Sequence, residues 1–240
     1  MTGSVIVIGA GDALGGAIAR RFAREGLEAV IVRRHADQLE PLAAQIRAEG
    51  GTAHPFGVDA RDEEQMVALF ERVEGEIAPI EACIFNIGAN VRFPIAETTS
   101  RVFRKVWEMA CFSGFLTGRE AAIRMTPRGR GTIIFTGATA SVRGRDGFAA
   151  FSAAKHGVRA LAQSMARELG PRGVHVAHTI IDGAIDTAWI AENFPQRYAL
   201  KDQDGILNPD HIADAYWTLH AQPRDAWTHE LDLRPWMESF

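Results

Sequence analysis

At 240 residues and 47% hydrophobic content the chain can bury a sizeable core, and its net charge of −4 gives no basic footprint for a nucleic acid. No apolar run reaches membrane-spanning length, and no early segment joins a charged start, an apolar core and a cleavage site, so a cytoplasmic protein is expected. Cys83 and Cys111 are the two cysteines; both lie in apolar or helical runs and are expected to be buried reduced thiols, not a disulfide or a metal pair.

In chain order, Ser4–Ile8 is a β-branched run that stops at the glycine-rich stretch Gly9–Gly16. Leu14, Ile18 and Phe22 then recur at helical spacing until Gly26. Strand, glycine-rich turn and helix in that order suit a pyrophosphate, because the turn lets backbone approach closely and the helix N-terminus offers unpaired N–H groups; a purely structural tight turn is the alternative. Ala29–Val32 predicts a second strand, 36–49 a helix ended by Gly50-Gly51, and Thr52–Phe56 a third strand leading to Asp59. Asp62 is placed to cap the next helix, with Gln65 three residues on. Then follow strand Ile80–Phe85, a helical region over Thr99–Met125, strand Thr132–Phe135, helix Phe148–Leu169 and strand Val174–Ile181. A loop with a short helix, a helix opened by Asn208-Pro209 and a strand Thr228–Leu233 complete the chain. With no Pro/Gly/Ser linker, residues 1–240 are expected to form one α/β unit, a doubly wound parallel sheet of about seven strands with helices on both faces.

These landmarks together resemble the short-chain dehydrogenase/reductase superfamily over the whole chain. The matching residues are Gly9-x-x-x-Ala13-Leu14-Gly15, Asp59 after the third strand, Asn86-Ile87-Gly88-Ala89 after the fourth, Lys155 in the long helix, and Asp182-Gly183-Ala184-Ile185-Asp186-Thr187 after the sixth. The resemblance implies an NAD(P)-binding Rossmann fold acting on a small-molecule substrate. It assigns Gly9, Gly11, Asp12, Ala13, Leu14 and Gly15 to the phosphate loop, Asp59 to an adenine contact, Asn86 and Gly88 to the cofactor edge of the fourth strand, Ile185 to backbone facing the carboxamide, and Thr187 to the carboxamide or the phosphates. It also implies a homodimer or homotetramer in which helices Thr99–Met125 and Phe148–Leu169 pair across an axis. Trp227, Trp236 and Phe240 suggest that the tail packs on something, either a neighbouring subunit or the chain itself. Several landmarks depart from the pattern: Ile8 and Ala13 replace a threonine and a glycine, Ile87 replaces an amide, and Asp182-Gly183 replaces Pro-Gly. Alanine at 13 is compatible with binding if its φ is negative.

The end of the second strand bears on which nucleotide is used. NAD-preferring relatives carry an acidic residue there, whereas this chain has Arg33 and Arg34. Two guanidinium forks suit the 2′-phosphate of NADP, so NADP(H) is expected over NAD(H). A solvated Arg pair is the competing reading, and Asp12 pulls the other way.

By resemblance Lys155 holds the nicotinamide ribose. The family's catalytic tyrosine, four residues earlier, falls on Phe151, its serine on Ala138 and its asparagine on Ala110. A positioned general acid is worth ~10²–10⁴ in rate, so the standard route of ketone reduction should be very slow. Candidates for a replacement are Thr139, one residue after the lost serine; Asp182, as an acid if burial raises its pKa; and Tyr198, in the loop that covers substrate. Arg143 and Arg145, with Asp146, are placed to meet an anionic substrate; a solvated cluster is the alternative. Three readings remain: an NADP(H)-dependent oxidoreductase for a small carbonyl or alcohol, a reductase of a conjugated enoyl or dienoyl thioester, and a non-catalytic cofactor-binding homologue.

Overall fold

The computed structural model describes residues 3–238. Phe240, one of the aromatic residues expected to anchor the tail, lies outside the described residues. The strands are β1 (Ser4–Ile8), β2 (Glu28–Arg33), β3 (Ala53–Gly57), β4 (Ile80–Phe85), β5 (Thr132–Thr136), β6 (His175–Ile181) and β7 (Glu230–Leu233). They form a seven-stranded sheet in the order β3-β2-β1-β4-β5-β6-β7, with every neighbouring pair parallel. The strand order reverses between β1 and β4, and such a switch point opens a crevice at the carboxyl ends of the strands.

Alternation along β1 shows why the sheet is covered on both faces. Val5 and Val7 point into one core with Leu14, Ile18 and Phe22 of helix α1 (Leu14–Arg24) and with Ile212 and Tyr216. Ile6 and Ile8 point into the other, with Phe70, Leu116, Phe151 and Val158. The remaining helices are α2 (Glu40–Ala48), α3 (Glu63–Arg72), α4 (Ser100–Trp107), α5 (Ser113–Met125), α6 (Ala149–Leu169), α7 (Ala188–Asn193), α8 (Pro195–Tyr198) and α9 (Pro209–His220). Each parallel pairing needs such a crossover, because a hairpin cannot join parallel strands.

The elements follow the sequence pattern with local differences. Asp62 does cap α3, its carboxylate accepting from the Gln65 backbone N–H at 3.1 Å. The segment 36–49 begins as a single 3₁₀ turn, Ala36–Leu39, before α2 starts with Pro41 in its first turn, where the missing N–H costs nothing. The helical run Thr99–Met125 is broken by a π-helical turn at Glu108–Phe112, which contains the buried Ala110. Hydroxyls help satisfy the carbonyls around it: Ser113 donates to Met109 O at 2.6 Å and Thr117 to Ser113 O at 2.7 Å. The chain stays helical on both sides of this π turn, so the sequence reads as one helix. The last strand begins at Glu230 and not at Thr228, because the Thr228 N–H is taken by the Gln222 side chain at 2.8 Å. No helix among the described residues is long and apolar enough to cross a membrane.

Candidate active site

The glycine-rich loop joins β1 to α1 at the switch point. Gly9 has φ +94°, and a Cβ there would lie 2.8 Å from Asn86 O; only glycine fits both constraints. Asn86 ties the end of β4 to this loop, donating through Nδ2 to Gly9 O at 3.2 Å. Gly15 lies under the same turn, where a Cβ would be 2.4 Å from Gly9 O. Gly11 and Gly88 face open space, and Leu14 is buried beneath. Ala13 has φ −111° and begins α1 without a side-chain cap, and the first turn carries no carboxylate. The loop therefore tolerates its alanine, and the helix end keeps its N–H groups and positive dipole end for an anion.

A cavity of about 380 Å³ opens over this loop, lined among others by Gly9, Gly11, Arg33, Arg34, Asp59 and Gly88. Arg33 is held loosely, 3.4 Å from Gln38 O and 4.0 Å from the exposed Asp12 carboxylate. Arg34 is exposed and has no ion pair among the described residues. Asp59 is gripped by Arg61 through Nε at 2.9 Å and a terminal nitrogen at 2.5 Å. Those hydrogen bonds outweigh burial and hold the Asp59 carboxyl below the usual carboxylate range. Sequence reading missed Arg61, whose partner is legible only once the turn after β3 is seen.

Lys155 is 2% exposed and reaches from α6 across the ends of two strands, donating to Ile87 O at 3.0 Å and Thr136 O at 2.8 Å. Burial pushes its ammonium down to about 8. An ammonium has three N–H donors, so one remains for another acceptor. Phe151, 8% exposed, packs in the core with its ring centroid 6.0 Å from the Lys155 nitrogen. Ala138 is half-buried, and its backbone N–H donates to the buried Ser141 hydroxyl at 3.1 Å.

Thr139 and Asp182 come together. The Thr139 hydroxyl donates to Asp182 Oδ1 at 2.5 Å, and one terminal nitrogen of Arg143 reaches both carboxylate oxygens at 3.2 and 3.1 Å. Arg234 stands 3.9 Å away, because β6 and β7 pair Ile181 with Leu233 and so set their next residues side by side. Asp182 was expected as a possible acid. Its close neighbours, the Thr139 hydroxyl and the Arg143 guanidinium, are hydrogen-bond donors. Arg234 was invisible without the β6–β7 register.

Tyr198 ends α8, its hydroxyl 3.4 Å from Lys201 Nζ, which in turn pairs with Asp186 at 2.8 Å. It bonds neither Lys155 nor Asp182. The other phenol, Tyr216, is sealed in the core against Thr136 and Thr179, where burial pushes it up to about 12. Ile185 forms a bridge with Leu207 through the Asp186 N–H and Ala184 O, each at 2.8 Å, which turns Ile185's own N–H and C=O to the opposite side. Thr187 caps α7 by accepting from Ile190 N at 3.1 Å, so its hydroxyl proton is still available to donate. Both cysteines are buried free thiols.

The short chain dehydrogenase family model matches residues 4–197. The chain belongs to this family. It is therefore an oxidoreductase-type Rossmann fold of the kind that binds NAD(P). A short-chain dehydrogenase from Rhodopseudomonas palustris has a similar solved structure, with TM-score 0.84 and 49% identity, covering 98% of this chain and 99% of that one. Gluconate 5-dehydrogenase of Gluconobacter oxydans is 29% identical over 171 residues, 71% of this chain and 67% of that protein. The cis-4-hydroxycyclohexanecarboxylate dehydrogenase of Sinomonas cyclohexanicum is 29% identical over 215 residues, 88% of this chain and 86% of that protein.

Proposed function

We propose that this family member is an NADP(H)-dependent oxidoreductase acting on a small carbonyl or alcohol through a non-standard catalytic site. The observation that carries the reading is the cavity over the glycine-rich loop, lined by Gly9, Gly11, Arg33, Arg34 and Ile87, beside the capless start of α1, with the buried Lys155 nitrogen bonded to the Ile87 carbonyl at its edge. The residues fit a dinucleotide. The α1 N-terminus and the Gly9–Gly15 turn receive the pyrophosphate, Arg33 and Arg34 the 2′-phosphate, and Asp59 the adenine. The remaining Lys155 N–H holds the ribose, and the Ile185 backbone with the Thr187 hydroxyl receives the carboxamide. When bound, the nicotinamide supplies hydride exchange with a carbon of the substrate.

Phe151 has no proton to give, and Ala138 and Ala110 carry no polar side-chain atom. That loss also supports the second reading, reduction of a conjugated enoyl or dienoyl thioester. Residues 1–240 act in this proposal as one domain that works in the cytoplasm as a homodimer or homotetramer. The exposed Phe115 and Trp107, both stacked on Phe112, support an apolar contact between copies.

The test is NADPH oxidation across a panel of ketones, aldehydes and enoyl thioesters. Turnover of ketones or aldehydes supports the first reading. Turnover confined to enoyl thioesters transfers the assignment to the second. Tight NADPH binding with no turnover on any of them leaves the non-catalytic homologue.

A further inference from the structure

The cluster around Asp182 has a geometry that the nucleotide cradle does not use. It sits at the carboxyl ends of β5 and β6, the sheet edge at which doubly wound folds take ligands. Thr139 follows Thr136, whose carbonyl holds Lys155, by only three residues, so the cluster borders the place where substrate would meet the nucleotide. Asp182 is 3% exposed and serves as a fixed post. Thr139 and Arg143 both converge on its Oδ1 oxygen.

The two partners are left with complementary capacities. Thr139 spends its only proton on Asp182, so its oxygen keeps acceptor capacity with nothing left to donate. Arg143 uses a single terminal nitrogen on Asp182. Its Nε and its other terminal nitrogen have no hydrogen-bond partner among the described residues, and the side chain is 40% exposed. The guanidinium is thus anchored through one nitrogen and keeps a positive charge and unengaged N–H donors, which suit a carboxylate. The nearby loop is tied in the same region by the Phe93 N–H, which donates to Gly147 O at 2.8 Å.

We infer that this cluster is a substrate subsite for a small hydroxy acid: Arg143 takes the carboxylate, and Thr139 accepts a hydrogen bond from the hydroxyl. Asp182 is a positioning residue that orients both. The inference rests on the oxidoreductase reading and names its substrate class. A neutral alcohol would leave the Arg143 donors without an anionic partner, and a carboxylic acid lacking the hydroxyl would leave Thr139 without one.

The test is calorimetric titration of the full chain, with NADPH first and then with gluconate, 4-hydroxycyclohexanecarboxylate, its methyl ester and cyclohexanecarboxylate. At least one hydroxy acid should bind, and its affinity should fall as salt is raised. The ester and the hydroxyl-free acid should each bind at least tenfold more weakly than 4-hydroxycyclohexanecarboxylate if that is the acid bound. Arg143→Gln should weaken hydroxy-acid binding at least tenfold while NADPH affinity stays the same. Thr139→Val, which keeps the side chain's shape, should erase the preference for hydroxylated over hydroxyl-free acid. NADPH binding with no hydroxy-acid binding, or with binding that Arg143→Gln leaves unchanged, overturns the subsite and spares the cofactor reading. Failure of NADPH itself to bind overturns the cofactor reading, whatever the acids do.

Discussion

Phe151 and Lys155 lie one helical turn apart on α6, and the contrast between them sets the chemistry. The lysine keeps its place because two backbone carbonyls need its donors; the phenylalanine keeps its place because the core needs its ring. Phe151→Tyr should therefore restore ketone reduction by less than about tenfold, against the ~10²–10⁴ that a fully positioned acid supplies, because Ala138 and Ala110 remain. A larger gain in NADPH-linked rate would show that those two losses matter little. His178 gives a second residue-scale prediction. It is fully buried with Nδ1 3.1 Å from Glu230, and burial pushes its imidazole down to about 4. Glu230 is held by Arg159 below its ordinary carboxylate range. Between pH 6.5 and about 4 the unfolded chain takes up the His178 proton and the folded chain does not, so stability falls as pH falls, by at most about 1.4 kcal/mol per unit from this group. Denaturant unfolding of His178→Asn across that window should show a shallower fall than the parent. Equal slopes would remove His178 from the account.

At the scale of elements, the loop between β1 and α1 carries the tightest steric demand. Gly9→Ala places a methyl against the Asn86 carbonyl and forces alanine to φ +94°. It should lower stability by ~1–3 kcal/mol, read by thermal melting, and abolish NADPH binding. Normal binding by that variant would mean that the loop does not hold the pyrophosphate. Much of this level was legible in the sequence, because strand–turn–helix alternation and the Asp62 cap are local signals. The π turn at Glu108–Phe112 was not, since the chain is helical on both sides of it and no glycine or proline marks the change. The Asp182 cluster was legible only in part. Thr139, Arg143 and Asp182 could each be singled out, but Arg234 joins them through a strand pairing more than fifty residues apart, which no local pattern encodes.

For the whole molecule, the alternating pattern required a parallel sheet with helices on both faces, and the seven-stranded order has that form. The strand ends around the cavity were readable because each contributes a short motif in fixed order. The substrate side was not, because its loops converge only in three dimensions. We propose that the fold keeps a cradle for NADP(H) although, by the family resemblance, Phe151 and Ala138 stand where two hydroxyls are expected and Ala110 where an amide is. Parallel calorimetric titrations with NADPH and NADH test it most directly. NADPH should bind at least tenfold more tightly, as expected for about 1.5–3 kcal/mol from charge-assisted bonds between Arg33, Arg34 and the 2′-phosphate. Binding of neither nucleotide, or equal affinity for both, would contradict it.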